Sequence, residues 1–224
     1  MRSCNQHISI TPESEMHYGH TNKQTHLLMD QASLGVDTHF TFSSDLLTQA
    51  RIWLQTVRYR LYERSVDQLL LPANNPMSVN QAFLLATRNG GLALRREDLG
   101  VLEVGAKADL LVWDGESPGM LGWADPVAAI ILHANAGDIK HVLVDGKWKK
   151  RDGELVVDLD GGYGRLKERF LESARRLQAV VVEGLLTAPV HEGIGPGGFP
   201  FADVSKVDVV RGEGDGYGEE RFFS

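Results

Sequence analysis

Polar and β-branched residues alternate from His7 to Thr11 (HISIT), the period-2 pattern of a strand. Pro12 and Gly19 bracket a loop. Asn22 to Ala32 (NKQTHLLMDQA) reads as a short helix with Asn22 as its N-cap. Ser33 to Asp37 (SLGVD) is the next short strand. Strand, helix and strand fall within about one βαβ repeat, which requires parallel pairing and a right-handed crossover.

A longer helical pattern follows. Leu46, Leu47, Ala50, Trp53, Leu54, Val57 and Leu61 recur at helical spacing, and Arg51, Gln55 and Arg58 fall on the other side. Ser44 is placed to cap this helix, and Asp45 suits the positive end of its dipole. LPANNP (71–76) breaks the pattern. A helix capped by Ser78, a turn at Asn89-Gly90-Gly91 and a second short helix come next. Ala108 to Asp114 (ADLLVWD) is a continuous apolar run and reads as a buried strand. Asp125-Pro126 opens a helix that runs to Leu132. Asp145-Gly146 and Asp152-Gly153 are hairpin turn signals between apolar runs. Tyr163 to Leu186 is a late helix with Leu166, Phe170, Ala174, Leu177, Val181 and Leu185 along one side. Beyond Pro189 the chain is rich in glycine, and GEGDGYGEE (212–220) reads as disordered.

Composition narrows the class of function. The 224 residues are 42% hydrophobic, enough for a sizeable core, and the formal net charge of -7 argues against a nucleic-acid surface. The one cysteine, Cys4, leaves no internal disulfide. No 18-residue apolar run calls for a membrane span, and the N-terminus lacks the apolar stretch of a signal peptide. The expected setting is cytoplasmic, with no nucleic-acid or membrane partner.

The candidate chemistry lies where the first two strands end. Asp37 closes the second strand, and a carboxylate there can ligate a divalent metal or take a proton from metal-bound water. An aspartate that merely forms a turn is the competing reading. His39 follows two residues later. The first strand-end loop, PESEMHYGH, concentrates Glu13, Glu15, His17 and His20. Loops leaving the same end of parallel strands can converge. His17 and His20 form an H-x-x-H pair with no second pair at a fitting distance, so substrate-facing or solvated side chains are the expectation. His26, His133 and His141 receive no role. The chain has no Walker-type phosphate loop, no G-x-G-x-x-G after a strand and no G-x-S-x-G elbow.

Three segments resemble one family in order and spacing. ISITPESEMHYGH with SLGVDTHFTFSSDLL is similar to the last two barrel strands of the amidohydrolase superfamily, in the branch of cytosine and guanine deaminases and triazine chlorohydrolases. SVNQAFLLATRNGGLALRREDLGVLEVGAKADLLVWD resembles the passage from that barrel into its small β-sandwich. The matching positions are Ala86, Thr87, Asn89, Gly90, Gly100, Leu102, Gly105, Ala108, Asp109, Leu110 and Asp114. HVLVDGKWKKRDGEL resembles the closing hairpin of the sandwich.

The resemblance implies an α/β fold: the C-terminal part of a (β/α)8 TIM barrel plus part of a small β-sandwich. It divides the chain into a barrel portion (1–104), a sandwich portion (105–160), a C-terminal helix (161–188) and a Gly-rich tail (189–224). It implies metal-dependent hydrolysis of non-peptide C–N bonds, or of C–Cl bonds, in small cyclic, often N-heterocyclic, substrates. One divalent metal, Zn2+ or Fe2+, is the implied cofactor. Asp37 matches the family's final metal ligand and proton shuttle, while Glu15, His17, His20 and His39 become expected substrate contacts. A homodimer is the expected assembly. The first strand would be the barrel's seventh, so most of the barrel is expected upstream of Met1, and the H-x-H pair of such sites has no counterpart here. A catalytic zinc takes about three protein ligands, and Asp37 is the one assigned here. The alternative expectation is therefore a truncated, non-catalytic remnant that acts at most through binding or assembly.

Overall fold

The computed structural model describes residues 2–20, 24–39, 42–157, 160–185 and 200. It separates into two compact units, Met1–Tyr163 and Gly164–Ser224.

In the first unit β1 (Ile8–Ile10) and β2 (Ala32–Leu34) pair in parallel, with Ile8 opposite Ala32 and Ile10 opposite Leu34. The Gly35 N–H donates to the Ile10 carbonyl at 2.9 Å and carries the pairing one step further. A Cβ on Gly35 would lie 2.9 Å from Ser9 Oγ, so only glycine fits without a shift of that side chain.

Between the strands the chain forms α1 (Pro12–His17) and a 3-10 helix (Thr25–Gln31). This corrects the expected loop from Pro12. Proline fits the first turn of a helix, where its missing N–H is no loss. The Thr11 N–H is then satisfied by Glu15 Oε1 at 2.9 Å. The expected helix from Asn22 is instead the shorter 3-10 segment, and its expected cap, Asn22, lies outside the described residues.

The long helix α2 (Leu46–Val66) is capped by Asp45 rather than Ser44. Asp45 Oδ1 accepts from the Thr48 N–H at 2.8 Å, satisfying a donor with no partner inside the helix. Ala50, Trp53, Leu54 and Val57 of α2 meet Ile10, Leu34, Leu85 and Ile131 in one core. Leu54 is fully buried there, and its truncation to alanine would cost about 2–5 kcal/mol.

Ser78 caps α3 (Val79–Ala86) as expected, accepting from the Gln81 N–H. The expected turn at Asn89-Gly90-Gly91 is helical instead and lies within α4 (Arg88–Ala93). The break falls at Thr87, whose φ of -129° and ψ of -93° are not helical. The Asn89 side chain reaches β2 instead. Its Nδ2 donates to the carbonyls of Met29 at 3.0 Å and Ala32 at 2.7 Å, fixing the start of that strand. The helix α5 (Pro126–Leu132) is capped by Asp125. Arg51 donates to the carbonyls of Ile131 and Ala134, closing the end of α5 onto α2.

A separate antiparallel sheet has the order β3-β4-β5-β6, with β3 Leu110–Trp113, β4 Ile139–Val144, β5 Lys147–Arg151 and β6 Glu154–Leu155. Both expected Asp-Gly turns are present. Asp145 (φ 49°) and Gly146 (φ 73°) give the doubly left-handed turn that suits a twisted hairpin. Asp109 Oδ1 accepts from the Asp145 N–H at 2.7 Å, so the A-D-L motif anchors that turn. The expected burial of β3 is not found. Leu111 is 51% and Val112 44% exposed, because among the described residues nothing covers these adjacent positions.

The fold is thus α/β, with a parallel strand pair rather than a closed barrel among the described residues. In α6 (Gly162–Leu185) Leu166, Phe170, Leu177 and Val181 recur along the helix as the sequence spacing predicts. Leu186 and the glycine-rich stretch after it lie outside the described residues. No described helix is long and apolar enough to cross a membrane.

Candidate functional site at the strand ends

The C-terminal ends of β1 and β2 carry two segments that meet. Glu13, the second residue of α1, reaches into the segment between β2 and α2. Its Oε2 accepts from the Ser43 N–H at 3.0 Å, the Ser43 hydroxyl at 2.5 Å and Gln49 Nε2 at 2.8 Å. Gln49 Oε1 accepts from the Glu13 N–H at 3.1 Å, and the Gln49 side chain is fully buried. The convergence expected from parallel pairing is therefore built on Glu13.

Beside this clamp lies a set of rings. The ring centroid of His17 is 5.3 Å from that of Phe42 and 4.8 Å from that of Tyr18, both in edge-on contact. Tyr18 lies 5.8 Å from both Phe42 and His20, edge-on to the first and stacked on the second. Phe42 is buried, while His17, Tyr18 and His20 are exposed. His17 and His20 thus share one aromatic surface, held by a residue from the second loop.

Glu15 is occupied differently. Its carboxylate caps the Thr11 N–H from inside α1, a structural bond that leaves one oxygen for other partners. His39 is exposed, and its carbonyl accepts from the Ser44 hydroxyl at 3.5 Å.

Asp37 lies three residues beyond β2 with φ at +60°. Aspartate tolerates that left-handed conformation better than most residues, and such outliers cluster at functional positions. Its side chain is exposed, and no hydrogen bond or ion pair engages its carboxylate among the described residues. The carbonyl of the next residue, Thr38, accepts from the Phe42 N–H at 3.2 Å.

Three side chains central to this geometry, Glu13, Gln49 and Phe42, were not among the expected site residues. Glu13 stood within the acidic loop, but a buried partner for it on α2 left no trace in the spacing. Gln49 interrupts an otherwise apolar buried face, the one signal that could have marked it.

A zinc or iron ion needs more than Asp37. Among the described residues no group of three or more His, Cys, Asp and Glu side chains is arranged to hold a metal. The residues present therefore offer one free carboxylate and do not by themselves fit the metal implied by the family.

Several known proteins are similar to this chain. The Amidohydrolase family matches residues 25–149. A 5-methylthioadenosine/S-adenosylhomocysteine deaminase of Pelotomaculum thermopropionicum is 31% identical over 159 residues, which is 68% of this chain and 34% of the relative. A 5'-deoxyadenosine deaminase of Methanopyrus kandleri is 38% identical over 72 residues, 32% of this chain and 17% of the relative. An adenosine deaminase of Xanthomonas campestris with bound zinc shares the fold with a TM-score of 0.61 at 19% identity, over 78% of this chain and 37% of that one. A mutant atrazine chlorohydrolase of Arthrobacter aurescens, complexed with zinc and atraton, superposes with a TM-score of 0.58 at 21% identity, over 76% of this chain and 35% of that one. The chain spans about a third or less of the length of these proteins.

Proposed function

We propose, since this chain belongs to the amidohydrolase family, that it carries the last strand-end carboxylate of a hydrolase that deaminates small N-heterocycles. The observation that carries this reading is the state of its carboxylates. Glu13 and Glu15 are each engaged in hydrogen bonds that shape the loops, whereas Asp37 stands free in a left-handed backbone at the mouth of a parallel strand pair. Active sites of such folds lie at that end of the strands.

The net reaction is hydrolytic: water adds at the carbon bearing the amino group, and ammonia leaves. Asp37 is the general base and acid of this reading. It accepts a proton from the attacking water and passes one to the departing amine. His17, Tyr18 and His20 offer exposed ring faces against one of which a heterocycle can stack, and His39 and Glu15 lie on the same two segments. Residues 1–104 form the barrel portion of this reading and 105–160 its sandwich portion. Because the described residues do not assemble a metal set, the chemistry assigned to this chain is confined to Asp37.

The names of the relatives supply the substrates to try. Ammonia release from 5'-methylthioadenosine, S-adenosylhomocysteine, 5'-deoxyadenosine and adenosine, measured with zinc added, tests the reading. Turnover of one of these supports a deaminase. A chain that binds one of them without turnover, or does neither, contradicts the deaminase reading for this chain and fits the non-catalytic alternative.

A further inference from the structure

The helix α6 carries a surface that the hydrolytic reading does not use. Leu166, Phe170, Leu177, Val180 and Val181 fall on one side of it at helical spacing, and each is between 40% and 63% exposed. A helix with one apolar stripe ordinarily buries that stripe. A contiguous apolar strip left in water marks an interaction surface.

Arginines line one edge of the stripe. Arg165, Arg169 and Arg176 lie four and seven residues apart, which sets them in a row alongside Leu166 and Val180. All three are exposed, and none makes a hydrogen bond or ion pair among the described residues. Glu168 and Glu172 fall on the opposite side of the helix. The five basic residues of α6 outnumber its three glutamates, although the whole chain carries a net charge of -7, so the positive charge is local to this helix.

We propose that α6 lies on the surface of an anionic lipid bilayer, with its apolar stripe at the acyl boundary and Arg165, Arg169 and Arg176 at the headgroups. An arginine stem lies along apolar surface while its guanidinium reaches out to phosphate or carboxylate oxygens. The expectation of no membrane partner rested on the lack of a spanning run, which a helix lying in the interface does not need. A second copy of the helix is the competing occupant, and the charges disfavour it. A parallel pair sets Arg169 and Arg176 against Ala174 and Val181 of the other copy, where no opposite charge waits. An antiparallel pair in the register that matches Arg169 to Glu183 sets Arg176 against its own copy. Ser173 and Gly184 also interrupt the seam of either pair.

The test is co-sedimentation of the full chain with vesicles of phosphatidylcholine and phosphatidylserine, and with vesicles of phosphatidylcholine alone, at low salt. The expected result is binding to the anionic vesicles that weakens on the order of tenfold on the neutral ones and in the double variant Arg169→Gln/Arg176→Gln. Leu177→Asp should abolish it. Val182→Asp changes a residue that is equally exposed, at 58%, but lies off the stripe, and should leave binding intact. All four positions are exposed, so the variants leave the core untouched. Equal binding to the two kinds of vesicle, equal loss in Leu177→Asp and Val182→Asp, or no binding at all would overturn the proposal. A wild-type dimer that does not sediment and that Leu177→Asp alone converts to a monomer would give the stripe to a second copy, and would overturn it as well.

Discussion

Glu13 and Gln49 hold each other at both ends: Gln49 Nε2 donates to Glu13 Oε2 at 2.8 Å, and the Glu13 N–H donates to Gln49 Oε1 at 3.1 Å. This pair ties the first turn of α1 to the first turn of α2, and so sets how the two strand-end segments lie against each other. Gln49→Leu keeps the volume but leaves the Glu13 N–H without its acceptor. The expected loss is about 1–3 kcal/mol, read as a lower urea midpoint with an unchanged slope. Glu13→Gln should cost a similar amount, because its amide nitrogen or weaker oxygen must face the donors of Ser43 and Gln49.

Asn89 fixes the start of β2 through two carbonyls. Asn89→Ala removes both bonds inside the fold. A loss of about 2 kcal/mol corresponds to a fall in Tm of about 4–8 °C for a protein of this size. Asn89→Asp should be worse, since it sets a carboxylate against the same two oxygens. Thermal melting of the three proteins checks the order.

Gly100 has φ +69°, and a Cβ there would lie 2.7 Å from Arg88 Cα. Backbone, not a flexible side-chain tip, is in the way. Gly100→Ala is expected to cost about 2–4 kcal/mol, whereas Gly90→Ala, with open space around it, should be tolerated. Urea unfolding of the two variants separates the cases.

The hairpin turn at Asp145 carries a pH dependence of known sign. Lys107 Nζ donates to Asp145 Oδ1 at 2.7 Å, and this bond, with the charge behind it, holds the Asp145 carboxyl below the ordinary carboxylate range. A carboxyl lowered by folding contributes stability above its unfolded pKa and loses it as pH falls through the folded one. The contribution should therefore disappear below about pH 4. Lys107 is raised by the same bond, so its share is present below its ordinary value and fades above about pH 10. The pair is exposed and screened, so the effect is small. Lys107→Met should flatten the acid limb of Tm against pH, and an unchanged limb would contradict the assignment.

Much of this fold was legible because local chemistry agreed with it. Asp125-Pro126, Ser78 and the two Asp-Gly turns each act through their own residues. The misreadings have tertiary causes. Pro12 looked like the edge of a loop until Glu15 closed the Thr11 N–H, and Asn89-Gly90-Gly91 looked like a turn until the Asn89 side chain found β2. The apolar run of β3 signalled burial, but a pattern cannot say whether a covering layer is present. At the site, parallel pairing foretold that the two loops meet. It could not tell which of three carboxylates would be consumed in shaping them and which left free.

Asp37 holds a left-handed backbone that glycine would adopt without strain. Asp37→Gly is expected to raise stability by about 0.5–1 kcal/mol while removing the carboxylate. A higher Tm together with lost function would mark the aspartate as kept for its chemistry. A lower Tm would return it to the role of a turn residue.

The central claim rests on that carboxylate, and Asp37→Asn tests it most directly because size and backbone preference are nearly kept. The measurement is the rate of ammonia release from the best nucleoside substrate by the wild-type protein and by Asp37→Asn at matched Tm. Loss of a proton-handling group predicts a fall of about 10²–10⁴-fold with melting unchanged. Equal rates in the two proteins would contradict the account.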